Sequence, residues 1–404
     1  MQREQQTEMT LMKQFLTPLM VLTLTLAAVT ATAQTQTQTQ IQTQPTAPLK
    51  LSTVASGLVN PWSLAFLPDG RMLVTEKPGR LRLISADGSS TSTAIAGVPA
   101  VDARGQGGLF EVLPAADFGS TRRIYLSYAE AGTGEEAGRN GLAVGTGVLN
   151  SALDAITEWR VIYRQAPKVS SAGHFGGRLL LAPGGTLFVT QGDRQLGTER
   201  GKAQDLALGH GKVMRLKLDG GPAPGNPFAG KPGAQAGIWS YGHRNVQGAA
   251  LHPVTGELWA TEHGPQGGDE LNRVLPGRNY GWPIISYGCE YGAPVGECPT
   301  VGGATAGAGL EQPVTYWVPR SIAPSGMIFY SGDRFPEWRG QVLLGALGGQ
   351  AVWRVKLDAE GRFVERESLP VRVADRVRDV RQGPDGWVYL LTDSNPGRVL
   401  RIER

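Results

Sequence analysis

Between Tyr241 and Glu270 the chain reads YGHRNVQGAALHPVTGELWATEHGPQGGDE, and two corners of this stretch carry groups suited to chemistry. At the first, Arg244 offers a planar fork of donors that matches a carboxylate, and Asn245 beside it adds a donor and an acceptor. At the second, Gly264-Pro265, the proline has no N–H to give, so the corner presents backbone carbonyl oxygens, the ligand type a hard cation such as Ca²⁺ takes. Asp269 and Glu270 follow; they either steer the metal region or its water, or are exposed loop acids. An anion-gripping and a cation-gripping corner at the two ends of one hairpin suggest a site for an acidic cofactor plus a metal. Taken alone, an Arg-Asn pair is a surface hydrogen-bonding corner and Gly-Pro is a turn.

Elsewhere, His174 lies in the glycine-rich run SAGHFGGR, where another molecule can approach closely, and a neutral imidazole there is matched to taking a proton near neutral pH. The plainer reading is a ring that bonds a loop carbonyl. Gln106, in GQGG, is an amide carried on glycines, suited to contact with a ligand or simply exposed on a turn. Arg376 and Arg378 alternate in DRVRDV, so on a strand both guanidinium groups share a face. Two like charges side by side call for an anion, or for Asp375 and Asp379 as partners on a solvated edge. No serine, cysteine or lysine is placed as an obvious nucleophile, and no carboxylate pair resembles a glycosidase dyad. Such a set implies one general base and a borrowed electrophile, which cofactors supply.

The elements that must position these residues repeat. An apolar strand, a Pro-Asp-Gly-like turn and a second strand recur from Asn60, Gly108, His174, Gly248, Gly326 and Arg378. Six copies leave about sixty residues each, enough for four strands and their loops. The spacing predicts an all-β, six-bladed β-propeller with four-stranded antiparallel blades, forming one domain over 51–404. Loops at one face of such a wheel converge on the central channel, so residues distant in sequence share one pocket. Neither a GxGxxG fingerprint, a P-loop nor a G-x-S-x-G elbow is present, which sets aside nucleotide and α/β-hydrolase chemistry.

Composition agrees with many short strands, with 56 Gly and 27 Pro in 404 residues. The formal charge of +4 is spread along the chain without basic blocks, so nucleic acid is not an expected partner. Lys13, the interrupted apolar run Phe15 to Val29 and Ala31-Thr32-Ala33 have the layout of a secretory signal peptide over 1–33, too short for a membrane span. The Gln/Thr alternation that follows predicts a disordered tether over 34–50, so the mature protein is expected to be exported, periplasmic or secreted. In an oxidising compartment, Cys289 and Cys298 are expected to staple their loop as a disulfide.

Taken together, GQGGL at Gln106, HFGGRL at His174, YGHRN, EHGPQGGDE, NYGWP from Asn279, APSGM from Ala323 and RVRDV resemble, in consistent order from Leu51 to Arg404, the soluble quinoprotein glucose/aldose sugar dehydrogenases. The resemblance implies a six-bladed propeller using pyrroloquinoline quinone (PQQ) and Ca²⁺ to oxidise aldoses to lactones, with electrons leaving to an external acceptor and the protein a monomer or homodimer. It implies His174 as the base and Gln106 beside cofactor and substrate. Arg244, Asn245, Arg376 and Arg378 would hold the quinone, and the backbone oxygens of Gly264 and Pro265 the Ca²⁺. Two departures stand out: Gly348 occupies the place of a lysine that contacts the cofactor in the family, and Gly173 replaces the acid beside the histidine in the glucose enzyme. Two other readings remain at this stage, a Ca²⁺-dependent propeller lactonase or esterase and a non-catalytic propeller binding module.

Overall fold

Each of the six sequence repeats folds as an antiparallel hairpin that forms the inner half of a blade. In a computed structural model, residues 47–404 are described; the expected signal peptide and nearly all of the expected tether lie outside the described residues. The hairpins are Pro61–Phe66 with Met72–Glu76, Leu109–Pro114 with Arg123–Ala131, and Gly176–Ala182 with Thr186–Gln191, then Val246–Leu251 with Leu258–Glu262, Pro324–Phe329 with Val342–Ala346, and Val377–Gln382 with Val388–Thr392. We number blades 1 to 6 in that order. The Pro-Asp-Gly turns close these hairpins because Gly70 and Gly386 adopt φ of 85° and 79°, a left-handed conformation that side chains resist.

Second strands such as Met72–Glu76, Leu258–Glu262 and Val388–Thr392 are buried at every position, because a blade's middle is covered on both faces by its neighbours. They therefore read as continuous apolar runs rather than as alternation. The outer strand Phe363–Ser368 is exposed along most of its length and carries charge instead. Five sheets have four strands and blade 1 has three. In blade 1 the fourth position is taken by an irregular segment whose Ser92 and Ile95 amides donate to the carbonyls of Leu83 and Leu81. The ring closes when Lys50–Leu58 pairs antiparallel with Gly397–Glu403 in blade 6, with Lys50 opposite Glu403. Both chain ends of the propeller thus share one sheet, and no blade edge is left to part from its neighbour.

Apolar clusters fill the spaces between blades, for example Trp62, Phe110, Phe175, Leu187 and Met214 across blades 1 to 3. The innermost strands meet around the channel, where charge replaces hydrocarbon. Arg178, 3% exposed, bonds Glu111 of blade 2 at 3.0 Å, Asp379 of blade 6 at 3.0 Å and the Gln247 carbonyl of blade 4 at 2.6 Å. Its guanidinium also lies 4.2 Å from the ring centre of Trp62 in blade 1. Arg381 completes a quartet with Glu111 at 2.6 Å and Asp379 at 2.8 Å. Among the described residues no helix is long and apolar enough to cross a membrane.

Removing one member of this quartet strands buried carboxylates without their counter-charge. Arg178→Ala is expected to lower stability by about 3–5 kcal/mol, read from chemical denaturation; a loss below about 1 kcal/mol, the range of a surface ion pair, would show that the quartet does not tie the blades together.

Candidate active site

Strand polarity decides where the site forms. In every blade the first strand starts, and the second strand ends, at the same face of the wheel, so residues before one and after the other converge there. Gln106, His174, Arg244, Asn245 and Arg376 precede first strands; Lys77, Asp193, His263 and Asp393 follow second strands. A cavity of about 180 Å³ at this face is lined by Gln106, Asn245, Arg376 and Arg378, together with Lys77, Gln247 and Asp393. A larger cavity of about 1040 Å³ lies by the hairpin turns of blades 2 and 3, around Ala115 and Gly184, at the other end of the strands and away from these groups. The smaller cavity is the candidate site.

His174 is not itself on the cavity wall; it immediately precedes the wall residues Phe175 and Gly176. Its backbone N–H donates to Gln106 Oε1 at 2.9 Å, and Nδ1 lies 2.7 Å from Asp193 Oδ1. Asp193 also accepts from the Gln195 amide at 2.7 Å and from the Trp282 indole at 2.7 Å. Burial works to protonate this carboxylate, but the bonds from His174 and Gln195 and the charge of Arg244 outweigh it and hold it below the ordinary range. An ionised Asp193 can only accept, so the imidazole proton sits on Nδ1 and Nε2 keeps its lone pair. Nε2 makes no hydrogen bond within the described residues. Burial first, and then the Arg244 charge, lower the His174 pKa against the pull of Asp193. The backbone is equally constrained: His174 has φ of 46°, and a Cβ on Gly192 would come within 2.1 Å of the His174 carbonyl oxygen, so only glycine fits there. Arg194, fully buried, donates to the carbonyls of Gly173 and Ser171 at 3.1 and 2.8 Å and pins the loop that carries the histidine.

The anion-gripping residues are joined by one that sequence reading missed. Asn245 Oδ1 accepts from Gln247 Nε2 at 3.1 Å, and Gln247 Oε1 accepts from Arg378 Nη1 at 3.2 Å, linking blades 4 and 6 across the cavity. Arg378 pairs with Asp393 at 2.5 Å, while Arg376 lies 3.9 Å from the same carboxylate. Asp375 and Asp379, the expected partners of the arginine pair, are used elsewhere: Asp375 bonds Arg398, and Asp379 belongs to the channel quartet. Alternation along the strand cannot reveal which acid from the neighbouring loop will arrive.

Arg244 and the Gly264-Pro265 corner line a second hollow of about 10 Å³ beside the first, and His263 lines both. Arg244 Nη1 donates to the carbonyl oxygens of Gly264 at 2.5 Å and His263 at 3.1 Å, and its backbone N–H donates to Glu262. Glu262 and Glu270 lie directly opposite each other on paired strands and both line the hollow. Desolvation, with the Glu262 charge beside it, pushes Glu270 up to about 8. Asp269 lines neither cavity and holds the corner from behind: Oδ1 accepts the Gly264 amide at 2.9 Å, and Oδ2 accepts from Ser321 and from the Ile322 and Ala323 amides at 2.6–2.8 Å. Cys289 and Cys298 are joined by a disulfide, and Cys289 exchanges two backbone hydrogen bonds with Gln266. The stapled loop thereby lies against the Gly-Pro corner. Among the described residues no three His, Cys, Asp or Glu side chains form a metal-binding group, so a cation here would depend on backbone oxygens as well as carboxylates. Such an all-oxygen set fits a hard cation.

Because burial disfavours the imidazolium, His174 is expected to titrate below the ordinary histidine value of about 6.5 and to be neutral at pH 7. Histidine-selective NMR, assigned by comparison with His174→Ala, measures this; a midpoint above that value would contradict the buried, Nε2-free imidazole.

The sequence model for "Glucose / Sorbosone dehydrogenase" matches residues 58–401. Aldose sugar dehydrogenase YliI of Escherichia coli K12 is 43% identical over 357 residues, covering 88% of this chain and 93% of that protein. The crystal structure of the soluble aldose sugar dehydrogenase from Escherichia coli in its apo form superposes with a TM-score of 0.82 at 42% identity, covering 88% of this chain and 99% of that one. The PQQ-bound aldose sugar dehydrogenase of Streptomyces coelicolor superposes with a TM-score of 0.71 at 29% identity, covering 89% and 99%. With the propeller, the cation-lined cavity and a match over nearly the whole propeller in agreement, the chain belongs to the glucose/sorbosone dehydrogenase family.

Proposed function

We propose that the protein is an exported PQQ- and Ca²⁺-dependent dehydrogenase that oxidises aldoses at the anomeric carbon to lactones, with His174 as general base. The observation that carries this reading is the Asp193-oriented imidazole, its Nε2 unbonded, joined through its backbone to Gln106 on the wall of a cavity rich in cations. The residues present suit an acidic quinone: Arg376, Arg378 and Lys77 exceed the single carboxylate on the wall, and the buried Nε atoms of Arg244 and Arg378 have no hydrogen-bond partner among the described residues. Bound there, the quinone supplies the two-electron acceptor for the hydride leaving the sugar C1, a capacity no side chain here has. Similarity to a protein described as PQQ-bound supports the same reading.

The chain's own part is to orient and to move a proton. Asp193 fixes the Nδ1–H tautomer, so His174 Nε2 can take the proton of the anomeric hydroxyl. Gln106 sets the histidine backbone and would lie beside the substrate. Arg244, Asn245, Arg376 and Arg378 would hold the cofactor's carboxylates and carbonyls, and the backbone oxygens of Gly264 and Pro265, braced by Asp269, would hold Ca²⁺ as a Lewis acid. An external acceptor would then receive the electrons. Export is supported by the leader-like pattern ending near Ala33.

The test is titration of purified apoprotein with PQQ, with and without Ca²⁺, followed by dye reduction with aldoses. Saturable quinone binding and activity that a chelator removes and Ca²⁺ restores are expected; no quinone binding at micromolar concentration would turn attention to a lactonase or a binding module. His174→Ala should retain quinone binding and lose activity by about 10²–10⁴-fold. Asp193→Asn should cost a comparable factor in kcat, about 10²–10⁴-fold, because an amide donating to Nδ1 moves the imidazole proton to Nε2. With the His174 pKa lowered by burial, activity should fall on acidification with a midpoint below about 6.5; a midpoint above it would remove His174 as the base.

A further inference from the structure

Lys77 lines the cavity at the far side from Asn245 and adds to the positive charge of its wall, but no ligand contact is yet assigned to it. It is the first residue after the strand Met72–Glu76. Its backbone is held on both sides, the N–H donating to the Asn60 carbonyl at 3.0 Å and the carbonyl accepting the Leu109 amide at 3.0 Å. Its ammonium donates to the Gly105 carbonyl at 2.8 Å. An ammonium carries three donors, so this bond leaves two. On the adjoining blade 6, Asp393 is the one acid on the wall, and Arg378 already holds it at 2.5 Å. Gly348 follows the wall residue Leu347 and brings no side chain, and an added Cβ there would sit 3.1 Å from the backbone of Ile322. His263, also on the wall, has its Nε2 turned to the Pro324 carbonyl at 2.7 Å and committed to that bond. Three cations from blades 1 and 6 therefore face one shared carboxylate, an arrangement that favours a ligand with more than one negative group.

We infer that Lys77 binds a carboxylate of the quinone directly and, beside Arg376 and Arg378 of the adjoining blade, makes the cavity select polyanionic over uncharged quinones. This rests on the reading that the cavity holds PQQ. The plainer role, in which Lys77 only secures the Gly105–Gln106 loop, predicts altered stability or turnover but no change in the electrostatic part of binding.

The experiment is equilibrium titration of apoprotein with PQQ in Ca²⁺ buffer, read by absorbance, for the wild type, Lys77→Met, Lys77→Arg and the surface control Lys231→Met, each at two salt concentrations. Lys77→Met should raise Kd by about tenfold or more, as loss of a charged hydrogen bond does, and should weaken the salt dependence. Lys77→Arg should restore most of the affinity, and Lys231→Met should match the wild type. In the wild type, bound PQQ should protect Lys77 but not Lys231 from an amine-acetylating reagent, as read by peptide mass spectrometry; this arm needs no variant to fold. If the wild type binds PQQ while Lys77→Met binds equally well and Lys77 labelling is unchanged, the inference fails and the quinone reading stands. Absence of PQQ binding by the wild type would overturn both.

Discussion

Arg178 sits where the innermost strands meet, and its guanidinium bonds blades 2, 4 and 6 while covering the Trp62 ring of blade 1. A propeller needs such a hub, because side chains around a channel cannot interdigitate as tightly as those between stacked sheets. Here the gap is filled by ionic groups that pair with one another: Glu111 accepts from Arg178, Arg381 and Ser63, while Asp379 accepts from Arg381 and the Leu64 amide through Oδ2 and lies 3.0 Å from Arg178 through Oδ1. Blade 5 joins through Ser325, whose hydroxyl donates to the Val377 carbonyl and whose own carbonyl accepts from Thr261. Desolvating these charges is costly, and only the closed ring brings all their partners within reach. The hub therefore favours one arrangement of the blades over alternatives with the same apolar packing.

The functional face is built on that hub. Arg178 bonds the backbone carbonyls of Gln247 and Arg378, and the side chains of those two residues reach into the cavity. The channel network and the site thus share backbone, and the positions of the cavity amide and guanidinium are set from below. Around the rim, rigidity comes from the backbone itself: the loop bearing His174 is pinned by Arg194, and the Gly-Pro corner is braced by Asp269. The role of general base proposed for His174 would require its geometry to be held within a fraction of an ångström. These buried, charge-assisted bonds give that rigidity to loops that would otherwise be mobile.

Local sequence alone determined the hairpins. All six apolar–turn–apolar repeats are the inner halves of blades, since the periodicity and the Pro-Asp-Gly turns report backbone conformation directly. It also exposed residues that are unusual in their own surroundings: His174 among glycines, the Arg244-Asn245 pair, and the arginines at 376 and 378, all of which the fold brings to one face. What it could not supply was partnership. Asp193 reads as an ordinary acid after a strand until the hairpin returns it beside His174, and Trp282 comes from another blade to hold its second oxygen. Asp393, not Asp375 or Asp379, meets Arg378, and Lys77 in TEKPG reads as a turn lysine until the ring closes and sets it beside the arginines of blade 6. Chain-local patterns carry backbone preferences, whereas the distance between two charges depends on strand register within a hairpin and, between the first and last blades, on closure of the wheel.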